Sequence, residues 1–419
     1  MREVRHLPLS KPGVQRWLGR MGLAVAFVLL AAPAQAGELS RAEVIRLALA
    51  EHPDTRTSAL RADAARAGVE GEGGVAPLMV EAGTAPASLV MRPGVELSVG
   101  WALPLWRMQE LARSGASRRA DMADAADRMT RAELAAFTSI AVDDTLLARK
   151  RLEVLAHHET TMASVRDSIA RRVAAGLAPA GAEAMARMAV LEVEEQRLVA
   201  QRDLAIAEAA LTALAGVPAS SLSREIAPLH AHPTPEVEPG APVLDMARAD
   251  LAMRTDMEAM ARRAALPMIS PMVSVSTMWD DPMHWAMVGV TVDIPLDGKA
   301  IEARARGAAA ERAAAEAAVD SAGRRLARER ADAFAMWQMA DKMETLMRSR
   351  GKPLSVERAR LARTAWESNQ GPVSDWLDAE KEVFEADWKI ADAQAERSRA
   401  IAMLAMSAGL TEPLLEVSP

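Results

Sequence analysis

Residues 286–296 read AMVGVTVDIPL. Val288, Val290, Val292, Ile294 and Leu296 are apolar, and the positions between them include Gly289, Thr291 and Asp293. A two-residue period predicts a β-strand with one apolar and one wetter face. Directly behind it, a charged, Ala-rich helical pattern runs almost to Trp366. The same join occurs earlier, where VELSVGWALPL at residues 95–105 alternates through Val95, Leu97, Val99, Trp101, Leu103 and Leu105. Pro104-Leu105 precedes Pro295-Leu296 by 191 positions, and a long helical pattern again follows. The predicted plan is a strand feeding a very long helix, used twice.

Working outward, Ser40 and Glu43 form a capping-box pattern at the start of a helix expected to about Val69, with a possible interruption at His52-Pro53. Leu78 to Ala82 are read as the heart of a first strand. Between Trp106 and Val173 there is no proline and a single glycine, Gly115. A helix of about 65 residues reaches roughly 100 Å, too long to wrap one compact core, so it must lie along partner helices. Gly176 and Pro179 mark a reversal into a second helix, with Met188, Leu191, Leu198 and Ala205 as its seam and Gly216 as its stop. Residues 217–242 are proline-rich and without periodicity, which reads as a linker. The pattern then restarts with a helix from Leu244, strands over 268–279 and 286–296, and a long helix expected to break at Gly351-Lys352-Pro353. A last helix from Asp375 carries two adjacent seams, through Trp376 and through Leu377, so two neighbours are expected. Gly176, Pro179, Ala186 and Gly216 correspond without a gap to Asn369, Pro372, Ala379 and Gly409, 193 positions on. Such self-similarity predicts an internal duplication.

Composition narrows the function. A hydrophobic content of 50% with mean hydropathy −0.01 excludes a bundle of membrane-spanning helices. The one long apolar run lies at the N-terminus, behind Arg2, Arg5, Lys11, Arg16 and Arg20, and Ala34-Gln35-Ala36 offers a cleavage pattern. Residues 1–36 therefore read as a signal peptide. Its removal takes away five basic residues and one acidic, moving the net charge from −7 to −11. Absence of cysteine excludes disulfides, thiolate metal sites and a lipid-modified Cys. No basic tract points to nucleic acid. No G-x-S-x-G, H-E-x-x-H, phosphate loop or dinucleotide turn is present, so no enzyme activity, catalytic residue, cofactor site or metal site is assigned. Met278, Met283, His284 and Met287 could offer soft-metal donors, but they flank a strand turn. His157, His158, His230 and His232 read as surface residues.

Two strands per repeat cannot close a barrel within one chain, and their edges are unsafe in water or lipid. Alternating strands of this length suit an outer-membrane barrel to which several copies contribute. The turn-helix sequences GLAPAGAEAMARM (176–188) and NQGPVSDWLDAEKEVFEA (369–386), with the two PL-ended strands, resemble the TolC-type outer-membrane efflux protein family. The likeness runs from Leu39 to Leu410. MWDDPMHWAMVGVTVDIPL (278–296) is most similar to the heavy-metal branch of CzcC and CusC type. The resemblance implies a mainly α fold with a small β part: duplicated coiled-coil hairpins forming an α-barrel, and four strands per chain in a trimeric twelve-stranded β-barrel. It implies a homotrimer in outer-membrane lipid with a periplasmic helical tunnel, a periplasmic adaptor protein and an inner-membrane pump of RND type. The implied function is a passive exit duct of a tripartite efflux system, with metal cations as cargo. A general duct for drugs and organic compounds, or a periplasmic coiled-coil scaffold outside the membrane, are the alternatives.

The expected organisation is a first repeat over 37–216, the linker 217–242, a second repeat over 243–410 and a tail over 411–419. The resemblance places the periplasmic pore tip at Trp366, Asn369, Asp375 and Asp378, with Gly176 and Pro179 in the first-repeat tip turn. Asp375 and Asp378 would form acidic rings favouring cations, or alternatively answer the dipole and free N–H groups of a helix start. Trp366 stands where the family often has tyrosine, and Gly371-Pro372 where it often has a basic residue, so the family's tyrosine–arginine–aspartate lock is not expected in that form. Tyrosine is absent altogether, leaving Trp101, Trp106, Trp279 and Trp285 as candidates for the interfacial girdle.

Overall fold

A computed structural model describes residues 38–72, 78–85, 94–103, 105–223, 226, 228, 229, 240–278 and 281–415. The expected signal peptide and Trp279 lie outside them. The expected first repeat contains α1 (Arg41–Glu51), α2 (Pro53–Glu72), β1 (Leu78–Ala85), β2 (Gly94–Trp101), α3 (Met108–Ala174) and α4 (Ala180–Ala215). The second comprises α5 (Pro242–Arg263), β3 (Met268–Met278), β4 (Asp281–Asp293), α6 (Gly298–Leu346), α7 (Lys352–Glu367) and α8 (Val373–Ala408), followed by a short α9 (Glu412–Leu415). Ser40 and Glu43 close the capping box that starts α1, and Pro53 opens α2. The helix expected from Trp106 instead begins at Met108, because Trp106 and Arg107 both take left-handed backbone (φ 62° and 57°) and turn the chain out of the sheet. Trp106 Nε1 donates to the Pro267 carbonyl at 2.8 Å, and Arg263 donates to the Trp106 carbonyl at 2.9 Å, fixing that corner to the second repeat.

α3 is 67 residues long and packs against α4 on one side and α8 on another; α8 in turn contacts α6 and α7. The two seams of α8 thus serve two neighbours, as the sequence predicts. α4 differs from expectation. Its buried seam is Ala186, Val193, Ala200 and Ala207, whereas Met188, Leu191 and Leu198 are 64, 54 and 68% exposed. Both stripes have a seven-residue period, and the smaller residues win the inner face because they let α3 approach closely. A buried methyl contributes only on the order of 0.8 kcal/mol, so helices with Ala-rich seams need great length to be stable. Polar contacts pin the middle of the rod. Arg41 donates to both Asp143 carboxylate oxygens (2.7 and 2.5 Å), and burial pushes the Asp143 carboxyl up against the lowering pull of that guanidinium.

The expected break at Gly351-Lys352-Pro353 is instead a π turn, Met347–Gly351, through which the helix continues. The Lys352 N–H reaches the Met347 carbonyl, five residues back, and Pro353 falls in the first turn of α7 where its missing donor costs little. Met347 folds over Gly351, where a Cβ would lie 2.6 Å from its Cε.

The sheet order is β1-β2-β3-β4, all antiparallel. Register puts Val80, Val99, Val273 and Val288 in one row on one face. Glu81, Ser98 and Ser274 lie on the opposite face. β1 and β4 have no strand partner on their outer sides among the described residues.

Candidate functional site

The two helix reversals are the same structure made twice. After α3, Gly176 takes φ 69°, its N–H donating to the Val173 carbonyl (3.0 Å) and that of Leu177 to the Arg172 carbonyl (2.9 Å). After α7, Asn369 takes φ 59°, its N–H donating to Trp366 (3.1 Å) and that of Gln370 to Ala365 (2.8 Å). These are paired bonds of a left-handed helix stop, displaced by 193 positions, and asparagine is among the few residues besides glycine that tolerate the conformation. Pro179 and Pro372 then precede α4 and α8, each 36 residues long.

The structure brings the two reversals together. Arg172, in the last turn of α3, donates to the Glu367 carbonyl at 2.9 Å and to Asn369 Oδ1, while its guanidinium lies 5.2 Å from the centre of the Trp366 ring. Trp366 is 6% exposed and its Nε1 has no hydrogen-bond partner among the described residues, so the ring acts as an apolar plug with Val373, Trp376 and Leu377 in the core beside the reversals. Sequence reasoning missed Arg172. Its only local signal is a basic residue near a helix C-terminus, which the dipole alone would explain.

Asp375 and Asp378 are both exposed, one helical turn apart on α8. The N-cap of that helix, Pro372, makes no side-chain cap bond, Asp375 lies in its first turn, and the Ser374 hydroxyl donates to Asp375 Oδ1 at 3.5 Å. Beside Asp375 runs an open groove between α7 and α8, walled by Leu354, Leu361, Ala365 and Pro372 and bounded by Glu357 and Arg358. Large apolar side chains stand exposed on the two outer rods of the helical layer: Met188, Leu191 and Leu198 on α4, Leu354 and Leu361 on α7.

The histidine reading is corrected in part. His157 is exposed, but His158 is buried, stacked on Phe384 with ring centroids 4.7 Å apart. Burial lowers its pKa to about 4 against the raising influence of Glu192. His230, His232 and the side chains of Met278, Met283, His284 and Trp285 lie outside the described residues. Trp101 and Trp106 are exposed at the tunnel end of the sheet.

Residues 236–410 match the family model described as outer membrane efflux protein, which covers the second repeat. No curated protein matches the chain. Among solved structures, a membrane protein from Pseudomonas aeruginosa is 22% identical with a TM-score of 0.76, covering 89% of this chain and 91% of that one. The outer membrane protein VceC from Vibrio cholerae is 16% identical with a TM-score of 0.78, covering 88% and 96%. CusC, described as forming a transmembrane channel, is 16% identical with a TM-score of 0.76, covering 88% and 92%. The fold is that of these outer-membrane channels, a helical tunnel layer joined to a strand layer. Equal identity to VceC and CusC favours neither over the other as a guide to cargo.

Proposed function

We propose, taking residues 236–410 as a member of the outer membrane efflux protein family, that three copies of this chain form an outer-membrane exit duct. The observation that carries this reading is the sheet. Its four strands have an aliphatic face with Val288 80% and Val290 62% exposed, a polar opposite face, and, among the described residues, unpaired outer edges at β1 and β4. Such a sheet is stable only if β4 of one copy meets β1 of the next until the ring closes, with the aliphatic face toward lipid. The helical layer repeats the logic, since exposed apolar stripes on α4 and α7 offer a head-to-tail contact that closes by rotation.

In this assembly the paired reversals form the periplasmic tip. Trp366, Asn369, Gly176 and Pro179 shape it, and Asp375 and Asp378 face the aperture as acidic rings. A periplasmic adaptor engages the tunnel wall, and an inner-membrane pump of RND type supplies the energy. The cargo is metal cations, supported by the heavy-metal likeness of residues 278–296. Fractionation tests the duct: the protein should sediment with outer membranes and run as a trimer in SDS before boiling. A Val290→Lys variant should fail to insert, since a charge at mid-bilayer on a barrel costs about 2–4 kcal/mol. Recovery of the wild type as a soluble periplasmic protein would overturn the reading in favour of a scaffold. Growth of a deletion strain tests cargo. Sensitivity confined to copper, silver, zinc, cobalt or cadmium supports metal export, and sensitivity to dyes and antibiotics makes it a general organic duct.

A further inference from the structure

The two long rods of the helical layer keep their seams differently. Along α3 the buried residues Leu134, Ala141, Ala148, Leu155, Met162 and Ile169 recur every seven positions without a break. Along α6 and α7 the same period holds from Leu326 through Ala333 to Ala340, then resumes at Ser355, one position late. Leu134, Ala141 and Ala148 precede Leu326, Ala333 and Ala340 by 192 positions, whereas Met162 precedes Ser355 by 193. The second rod therefore carries one extra residue between Ala340 and Ser355, and the π turn Met347–Gly351 lies inside that interval. The i→i+5 bond of a single π turn takes up one residue within an α-helix.

The exposed side of the rod takes the same step. Met339 and Leu346 are seven apart, Leu354 follows eight positions on, and Leu361 seven after that; all four are 49 to 67% exposed. In a plain α-helix the extra residue would turn the α7 pair about 100° out of line with the α6 pair. With the π turn, one apolar edge runs unbroken for roughly 30 Å. The opposite edge of the layer, α4, exposes Leu191 and Leu198 with the same spacing of seven. Arg172 holds Glu367 and Asn369, so the two reversals stand level and heights along the rods can be counted from them. Leu191 and Leu198 lie 11 and 18 residues past Ala180, and Leu354 and Leu346 lie 13 and 21 before Glu367. Glu195 falls between the two leucines of α4, and Arg350, within the π turn, falls between Leu346 and Leu354. Both are exposed, and neither has an ion-pair partner among the described residues.

We propose that the π turn is a register device: it keeps the α6–α7 edge in line for α4 of a second copy, which seats Leu191 and Leu198 beside Leu354 and Leu346 with Glu195 opposite Arg350. This rests on the ring of copies in the proposed function and names the contact that closes its helical layer; the charge pair sets register more than affinity. The chain has no cysteine, so oxidative cross-linking reads the contact directly. Full-length Glu195→Cys and Arg350→Cys variants, separately tagged and co-expressed, are oxidised in membranes and boiled in SDS without reductant. A reductant-sensitive product carrying both tags should form at least tenfold more than with Glu195→Cys and Lys342→Cys, whose heights differ by about 15 Å. Trimers without this product overturn the seating and leave the duct standing. The product without trimers leaves the edge contact standing and removes the closed duct. Deletion of Ser349 in the Arg350→Cys chain restores a period of seven throughout and should keep the cross-link. One Ala inserted after Ser349 adds a second extra residue and should lower it at least tenfold. A cross-link lost on deletion, or kept on insertion, overturns the register role.

Discussion

Arg172 and Asn369 are 197 positions apart in the chain, yet the guanidinium of one holds the side-chain carbonyl of the other across two helix reversals. The contact ties the end of α3 to the end of α7, so the two reversals move as a unit while it persists. Arg172→Ala should free the two reversals and raise single-channel conductance in planar bilayers by at least twofold. Asn369→Gly keeps the left-handed turn and removes the acceptor, so a smaller rise is expected. Unchanged conductance in Arg172→Ala would mean that this contact does not set the aperture.

Asp375 and Asp378 are exposed in the first two turns of α8. Replacing both with Asn should lower the cation-to-anion permeability ratio several-fold, most strongly at low salt where screening is weak, while SDS-stable trimers persist. An unchanged reversal potential in a salt gradient would place the carboxylates away from the aperture.

His158 gives the tunnel a pH dependence. Its folded-state pKa, lowered to about 4 chiefly by burial, lies below the ordinary 6.5. Above pH 6.5 both folded and unfolded states hold the ring neutral, and stability is full. As pH falls from 6.5 toward 4 the unfolded chain binds the proton first, so stability is lost, by up to about 3 kcal/mol. His158→Leu should remove this part of the dependence. Thermal unfolding at pH 7 and pH 4.5 checks it: the wild type should lose more than the variant on acidification, and parallel losses would refute the assignment.

Gly216 and Gly409 are equivalent stops with φ 69° and 73°, but their surroundings differ. A Cβ at Gly216 would meet only Glu51 Oε2 at 3.8 Å, whereas one at Gly409 would overlap the Pro242 ring, at 2.5 Å from Cδ. Gly216→Ala should cost about 1–2 kcal/mol from backbone strain alone. Gly409→Ala should cost a further 1–3 kcal/mol, roughly the penalty of overpacking. Urea unfolding of the two variants, with equal losses, would show that the ring moves aside freely.

The sequence by itself determined the parts that local chemistry dictates. Alternation through Val288, Val290 and Val292 marks a strand wherever it stands. The proline-free run after Trp106 marks a long helix, and the 193-residue offset predicts that the reversal at Gly176 recurs at Asn369. Tertiary structure alone decided which stripe of α4 turns inward, since Met188 and Val193 carry the same period and only the approach of α3 selects between them. It also decided that Pro353 follows a π turn, that His158 stacks on Phe384, and that Arg172 reaches Asn369. Each of these pairs residues from different elements or selects between local geometries that the same residues permit. Periodicity reports which face of an element is apolar, not what that face will meet, because the partner is set by packing between segments far apart in the chain.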